Sequence, residues 1–476
     1  MNRHWKKRPL LLMKKYSTIL IIIIVLISCT GSDNTKEQLP LLKISDNHRF
    51  LADENNKPFF WLGDTGWLLF KKLNREDAEK YLENRKRKGF NVIQVMVLHD
   101  LDHPVNIYGD SAFVCKNVAI PCETTGYKPD NEEAYDFWDH TDYIISLAAE
   151  KGLYMALVPV WGSNVKSGDI SSEQASAFGA WIAKRYRDRK NIIWLNGGDI
   201  NGNDSTAVWK ALGKAIRTND PNHLITFHPR GRLQSSMWFH DEEWLDFNMI
   251  QSGHRRYDQD DTELAYGEDN WRYVISDYKL QPVKPTIDGE PSYEGIPQGL
   301  HDTLQPYWNH NDVRRYAYWS VFSGAFGFTY GHNAVMQFHR ATDTDASYGP
   351  KVEWETALNE PGAQQMIHLK QLMLSRDFFS RVPDQSIIAY NQGERYDYLA
   401  ATRGDDYAFI YNYTGRKMDI TMGKIRGKKV RASWFNPRDG SWQETGTFIN
   451  SGKQEFQPPA MVRDGNDWVL VLDSVE

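Results

Sequence analysis

The stretch Asn191-Ile192-Ile193-Trp194-Leu195-Asn196-Gly197-Gly198-Asp199 decides how this chain is read. A short apolar run ends in two glycines and a carboxylate. The run has the character of a buried strand, and the glycines let the backbone turn tightly where it stops. Asp199 therefore stands at the C-terminal end of a strand, where an α/β barrel gathers its chemistry. Further on, Pro285-Thr286-Ile287-Asp288-Gly289-Glu290-Pro291 repeats the device, and an extended run delivers Glu290 into a Gly/Pro turn.

Outward from these two stretches, strand and helix signals alternate. Strands are expected over 59–62, 90–98, 153–160, 191–199, 224–228, 247–251, 286–290 and 327–332. Amphipathic helices fall between them; the first starts at an Asn74 cap and stops at Gly89. Near-continuous apolar strands separated by helices predict a (β/α)8 TIM barrel over residues 40–380. A hairpin at 40–57 either caps the bottom of that barrel or joins it to the C-terminal domain. The loops 99–131 and 338–359 are longer than a barrel needs, and both leave its C-terminal side, so they are expected to wall a cleft. After a helix at about 361–375 the texture changes to short alternating segments with turn pairs such as Asp439-Gly440. This predicts a small antiparallel β-sandwich over 385–476.

The chain has 476 residues and a net charge of −6, with no basic stripe, so no nucleic-acid partner is expected. Lys14 and Lys15 precede the apolar run Ile19 to Ile27, which is shorter than the ~20 residues a membrane span needs. Residues 1–29 have the form of a secretory signal, and Met13 opens a more typical one than Met1. Leu26-Ile27-Ser28-Cys29 resembles the bacterial lipobox. That likeness implies lipidation of Cys29, a lipid anchor to the membrane and an exported lipoprotein of the cell envelope, on the outer-membrane surface or the periplasmic face. Residues 30–39 would be its polar tether. Cys115 and Cys122 either form a disulfide, which for so short a loop adds about 2–3 kcal/mol, or remain free thiols.

Two carboxylates at one barrel rim are what glycoside hydrolysis requires: an acid for the leaving oxygen and a carboxylate on the other face of the sugar. Asp199 and Glu290, at the ends of strands four and seven, are the candidate pair. Aromatic residues are 13% of the chain, with 17 tryptophans, and rim aromatics suit a sugar ring. Trp161 and Tyr330 are expected as stacking platforms, and Tyr293 is placed to orient Glu290. Asp64 could bond a sugar hydroxyl or cap a helix. His99, His228, His254 and His332 each follow a strand, and some of the four are expected to touch substrate. A metal site is the other use of four histidines, but no His-Glu-x-x-His run supports one, and neither metal nor cofactor is expected. Arg230, Arg232, Arg255 and Arg256 follow strands five and six and could meet a uronate, since guanidinium forks match carboxylates.

Gly63-Asp64-Thr65-Gly66-Trp67, Trp194-Leu195-Asn196-Gly197-Gly198-Asp199, His228-Pro229, Asp288-Gly289-Glu290-Pro291 and Tyr330-Gly331-His332 together resemble glycoside hydrolase family 140, the apiosidase-like barrels. Trp434-Phe435-Asn436-Pro437-Arg438-Asp439-Gly440 is similar to the signature of the β-domain that accompanies them. The resemblance covers about residues 40–475. It implies a retaining enzyme that releases apiose-linked side chains from the plant pectin rhamnogalacturonan II, with Asp199 as acid/base and Glu290 as nucleophile. The chain departs from the wider clan of retaining barrels in carrying Asp rather than Glu after strand four, behind Gly rather than Asn. Two other readings stay open: a glycosidase of the same family acting on another plant glycan, and a non-catalytic glycan-binding surface lipoprotein.

Overall fold

The computed structural model describes residues 39–260 and 266–475. The expected signal segment with Cys29, and all of the tether but its last residue, lie outside them. A three-stranded antiparallel sheet comes first: β1 (Leu42–Ile44), β2 (Leu51–Asp53) and β3 (Pro58–Phe59). It packs on the barrel bottom and on the segment that leads towards the C-terminal domain. The Tyr154 hydroxyl donates to the Pro40 carbonyl at the barrel bottom, while Asn47 donates to the Phe379 carbonyl and Phe50 packs on Phe378 with centroids 4.7 Å apart.

The barrel strands are β4 (Trp61–Thr65), β5 (Val92–Met96), β6 (Tyr154–Val158), β7 (Ile192–Ile200), β8 (Ile225–Pro229), β10 (Asn248–Gln251), β11 (Thr286–Asp288) and β12 (Gly327–Tyr330). All eight expected strands are present, within a few residues of their expected limits. A two-residue strand that the sequence did not announce, β9 (Leu233–Gln234), pairs antiparallel with β10. Parallel ladders join the others in the order β8-β7-β6-β5-β4-β12-β11-β10. The ring closes between β8 and β10 through single contacts: the Asp246 N–H donates to the Ile225 carbonyl at 2.8 Å, and Thr226 Oγ1 donates to the Phe247 carbonyl at 2.6 Å.

Parallel strands covered by helices are buried on both faces, so their side chains alternate between the barrel interior and the helix layer. On β4 and β12, Trp61 Nε1 donates to Thr329 Oγ1 inside, at 3.0 Å. Asp64 and its cross-strand partner Tyr330 point the other way. Asp64 accepts from Arg85 Nε and from the Tyr81 hydroxyl, both at 2.6 Å, on the helix Arg75–Arg87. That helix begins as expected, with the Asn74 side chain accepting from the Asp77 N–H.

The C-terminal β-domain has a six-stranded antiparallel sheet facing a three-stranded one. Its central strand, Tyr407–Asn412, is buried throughout because each of its faces has a partner. Ala408 and Ile410 face the sandwich core with Leu399, Val430 and Leu470. Tyr407, Phe409 and Tyr411 belong instead to the barrel-side core, with Tyr411 stacked on Tyr318 at 4.7 Å. Burying a Phe such as Phe409 is worth about 1.5–3 kcal/mol, against ~0–1 kcal/mol for a surface ion pair. Apolar burial therefore holds the two parts together. Within that interface Arg314 is fully buried and bonds both oxygens of Asp467, at 3.0 and 2.8 Å. Cys115 and Cys122 are free thiols.

Removing one member of a buried pair strands the other charge, which costs about 3–5 kcal/mol. Asp467→Ala should lower stability by that amount in chemical denaturation, with barrel and β-domain melting in one transition. Two separated transitions in the wild type would show that the interface does not couple them.

Candidate active site

The ends of the barrel strands surround a cavity of about 410 Å³ at the C-terminal mouth of the barrel. The end of β7 is irregular. Gly197, Gly198 and Asp199 have φ of 92°, 111° and 49°, and the pairing with β8 slips between Gly197 and Ile200. A bulge of this kind re-aims a side chain. Here it turns Asp199 up into the cavity, where its side chain reaches water. The space around the bulge requires glycine: a Cβ on Gly197 would lie 2.6 Å from the His228 carbonyl oxygen, and one on Gly198 would lie 2.6 Å from the Trp161 ring. Asp is one of the few side chains that tolerate the left-handed region. This gives a physical reason for the shorter acid at 199.

Glu290 follows β11. Gln94, inside the barrel on β5, donates to the Gly289 carbonyl at 2.8 Å, and the Glu290 carbonyl accepts from the Gly253 N–H. Two imidazoles hold the carboxylate: His254 Nε2 donates to Oε1 at 3.2 Å, and His228 Nε2 lies 3.1 Å from Oε2. The other nitrogen of each ring is also engaged. His228 Nδ1 accepts the Asp199 N–H at 3.3 Å, and His254 Nδ1 accepts the Tyr293 N–H at 3.3 Å. Both rings therefore carry their proton on Nε2, towards Glu290.

The two carboxyls respond in opposite directions. Desolvation by the enclosing walls, then the charge of Glu290, pushes Asp199 up to about 6. Desolvation also acts on Glu290, but the contacts from His228 and His254 outweigh it and hold the group at about 2. Aromatic rings complete the pocket. Trp67 and Trp161 lie 5.4 Å apart and both approach His228; Trp67 Nε1 donates to the Tyr293 hydroxyl at 3.1 Å; Tyr293 meets His254 edge-on.

Of the expected site residues, Asp199, Glu290, His99, Trp161, His254 and Tyr293 line this cavity, and His228 lies beneath it against Glu290. Three do not come to it. Asp64 is fully buried against Arg85 and Tyr81, behind the barrel wall. Tyr330 faces the same side and donates to Glu294 at 2.7 Å. His332 accepts the Ala334 N–H and caps the short helix Asn333–Met336. Among the described residues no cluster of His, Cys, Asp and Glu could hold a metal. Arg230, Arg232 and Arg255 line the cavity, whereas Arg256 turns away to Asp258, Gln298 and Gln305.

The walls also differ from expectation. The loop 338–359 supplies Asp345, Ser347 and Tyr348, as foreseen. The loop 99–131 gives only His99 and otherwise lies over the helices, with Phe113 on Trp138 and Phe178. Its place is taken by the segment between β11 and the helix His310–Phe322, which brings Ile296, Leu300 and His301. The length of that segment was the available signal. Sequence reasoning missed Trp67 and Tyr348 as site residues; Trp67 closes the Gly63–Trp67 motif, but nothing local marked Tyr348.

A barrel whose mouth brings two carboxyls and several aromatic rings into one cavity has the arrangement of a glycoside hydrolase. Residues 45–380 match the family model described as apiosidase-like, catalytic domain, and the chain belongs to that family. Residues 382–473 match a model described as "Putative collagen-binding domain of a collagenase". A solved structure titled "Glycoside hydrolase" is 50% identical, with a TM-score of 0.85 over 91% of this chain and 97% of that one. A glycoside hydrolase family 5 structure from Bacteroides vulgatus ATCC 8482 is 47% identical, with a TM-score of 0.86 over 92% of this chain and 93% of that one. No curated protein matches the chain.

Gly198→Ala forces a Cβ into Trp161 and into a backbone region that costs about 1–3 kcal/mol for other residues. The variant should lose hydrolytic activity at least tenfold while the melting temperature drops only modestly, read side by side. Unchanged activity would show that the bulge does not set Asp199.

Proposed function

We propose that this glycoside hydrolase is a retaining enzyme that cleaves apiose-linked side chains from the plant pectin rhamnogalacturonan II, with Glu290 as nucleophile and Asp199 as general acid/base. The observation that carries the catalytic part is the opposed proton affinity of the two carboxyls, about 6 and about 2, in one cavity. Between those values Asp199 holds a proton and Glu290 does not, which is the starting state of a double displacement. The substrate part rests on the apiosidase-like description of the family.

In the first step a Glu290 oxygen attacks the anomeric carbon. The bond from that carbon to the leaving oxygen breaks, and the Asp199 proton passes to the leaving oxygen. The result is a glycosyl ester on Glu290 and an ionised Asp199. The ester has no charge, so the repulsion that added to desolvation in raising Asp199 has gone, and Asp199 serves as a base. It takes a proton from water, the water oxygen bonds to the anomeric carbon, and the ester oxygen leaves as the Glu290 carboxylate. His228 and His254 position Glu290 throughout, since the N–H groups of Asp199 and Tyr293 fix which nitrogen each presents.

Product analysis on rhamnogalacturonan II tests the reading. Wild type should release an apiose-ended oligosaccharide, Asp199→Ala should be slower by about 10²–10⁴-fold, and Glu290→Ala should release nothing. Product at the wild-type rate from either variant would overturn the assignment, and none from wild type would overturn the substrate. For kcat/KM, Asp199 must be protonated and Glu290 ionised. The rate should therefore hold at mildly acidic pH, fall about tenfold per unit above pH 6, and fall again towards pH 2. An aryl glycoside whose leaving group needs no proton should lose the alkaline limb.

In the same reading the enzyme is held at the cell envelope by a lipid on Cys29. Labelled palmitate should enter wild type and not Cys29→Ser, and that variant should leave the membrane fraction. Label retained by the variant would overturn the anchor.

A further inference from the structure

The loop after β12 brings one phenol into the cavity, and its backbone is fixed on every side. Asn333 Nδ2 donates to the Tyr348 carbonyl at 2.9 Å. Gln337 clamps the preceding residue twice: its Oε1 accepts the Ser347 N–H at 2.8 Å and its Nε2 donates to the Ser347 carbonyl at 2.9 Å. Beyond it, the Gly349 carbonyl accepts from the Tyr307 hydroxyl at 3.1 Å. Tyr348 itself sits at φ 58°, a left-handed conformation that tyrosine does not favour, and surrounding structure must impose it.

The clamped backbone brings the side chain to the cavity wall. Tyr348 lines the cavity with Asp199 and Glu290, and its ring rests on His301 with centroids 5.5 Å apart. The backbone contacts account for the loop, yet no hydrogen bond within the protein uses the phenol oxygen among the described residues. Desolvation, then the charges of Asp199 and Glu290, pushes the phenol up to about 12, so the group stays an uncharged hydroxyl, able to accept as well as donate, at every working pH. A hydroxyl carried on a clamped backbone, lining the cavity and within the field of both carboxylates, is placed to meet a sugar bound there.

We propose that Tyr348 is a substrate-touching residue of the hydrolytic site: its hydroxyl oxygen accepts a hydrogen bond from a hydroxyl of the sugar held between Asp199 and Glu290, and Asn333 and Gln337 are the positioning residues that hold it there. As positive charge develops on the ring in the transition state that sugar hydroxyl becomes a stronger donor, so the bond strengthens. It therefore acts on the rate of the chemical step more than on ground-state affinity. The proposal rests on the assignment of Asp199 and Glu290 as the reacting carboxyls.

Tyr348→Phe keeps the ring and removes only the oxygen. With rhamnogalacturonan II as probe it should lower kcat at least tenfold and leave KM within about threefold, the signature of an interaction made in the transition state. Gln337→Ala should lower kcat less, and should add nothing in the Tyr348→Phe background, because its route to the reaction runs through that hydroxyl. Additive effects would overturn the positioning role. A Tyr348→Phe enzyme as fast as wild type, beside an inactive Glu290→Ala, would overturn this proposal alone. An active Glu290→Ala would overturn the assignment beneath it.

A second measurement needs no substrate. 3-Fluorotyrosine placed at position 348 should show a fluorine resonance that moves as Asp199 titrates near pH 6. Asp199→Asn should abolish the movement. A resonance that stays flat with pH in the wild-type background would overturn the placement of the phenol, whichever glycan the enzyme cleaves.

Discussion

Everything at the mouth of this barrel depends on how the negative charge of Glu290 is kept. A carboxylate enclosed by protein loses solvation and tends to take a proton. Here two imidazoles oppose that tendency, and each is committed by a backbone N–H on its far nitrogen. The commitment runs in both directions. The N–H that fixes His228 belongs to Asp199, so one ring links the backbone of one carboxyl residue to the side chain of the other. A change in the bulge at the end of β7 reaches Glu290 through that ring without touching it. Desolvation raises Asp199, and the charge so preserved on Glu290 raises it further.

The aromatic residues belong to the same construction. Trp161 occupies the space above Gly198 that any side chain would need, and Trp67 ties the Tyr293 hydroxyl while facing His228. These rings offer an apolar surface to a sugar, and they also confine the bulge and the histidines to one geometry. Behind the barrel wall a second polar cluster pairs Asp64 with Arg85 and Tyr330 with Glu294 without reaching the cavity. The β-domain contributes from further away. Its aromatic face covers the barrel side that carries Arg314, and a fully buried ion pair in the interface makes separation costly.

The periodic parts of this architecture were open to sequence reasoning. Apolar runs, Asn74 and Gly89 at the limits of one helix, and the switch to short alternating segments marked the barrel, its strand order and the β-domain. Asp199 and Glu290 were legible because each closes an apolar run at a glycine turn, and His254 and Tyr293 because they follow strand ends at the same rim. Asp64 and Tyr330 misled for a related reason: they too stand at strand ends, but strand alternation turns them to the helix layer, where Arg85 and Glu294 meet them. His332 shared the position of the other histidines and was used as a helix cap. Tyr348 was silent, since its place depends on amide side chains from another segment.

The sequence by itself determined which residues could become strands and helices, because periodicity and turn chemistry act over a few neighbouring positions. It also determined the family and the pair of carboxyls at two strand ends. Only the tertiary structure decided which rim residues face the cavity, which nitrogen each histidine presents, and how far apart the proton affinities of Asp199 and Glu290 lie. Those properties come from desolvation and from contacts between segments distant in the chain. A local pattern carries no record of them.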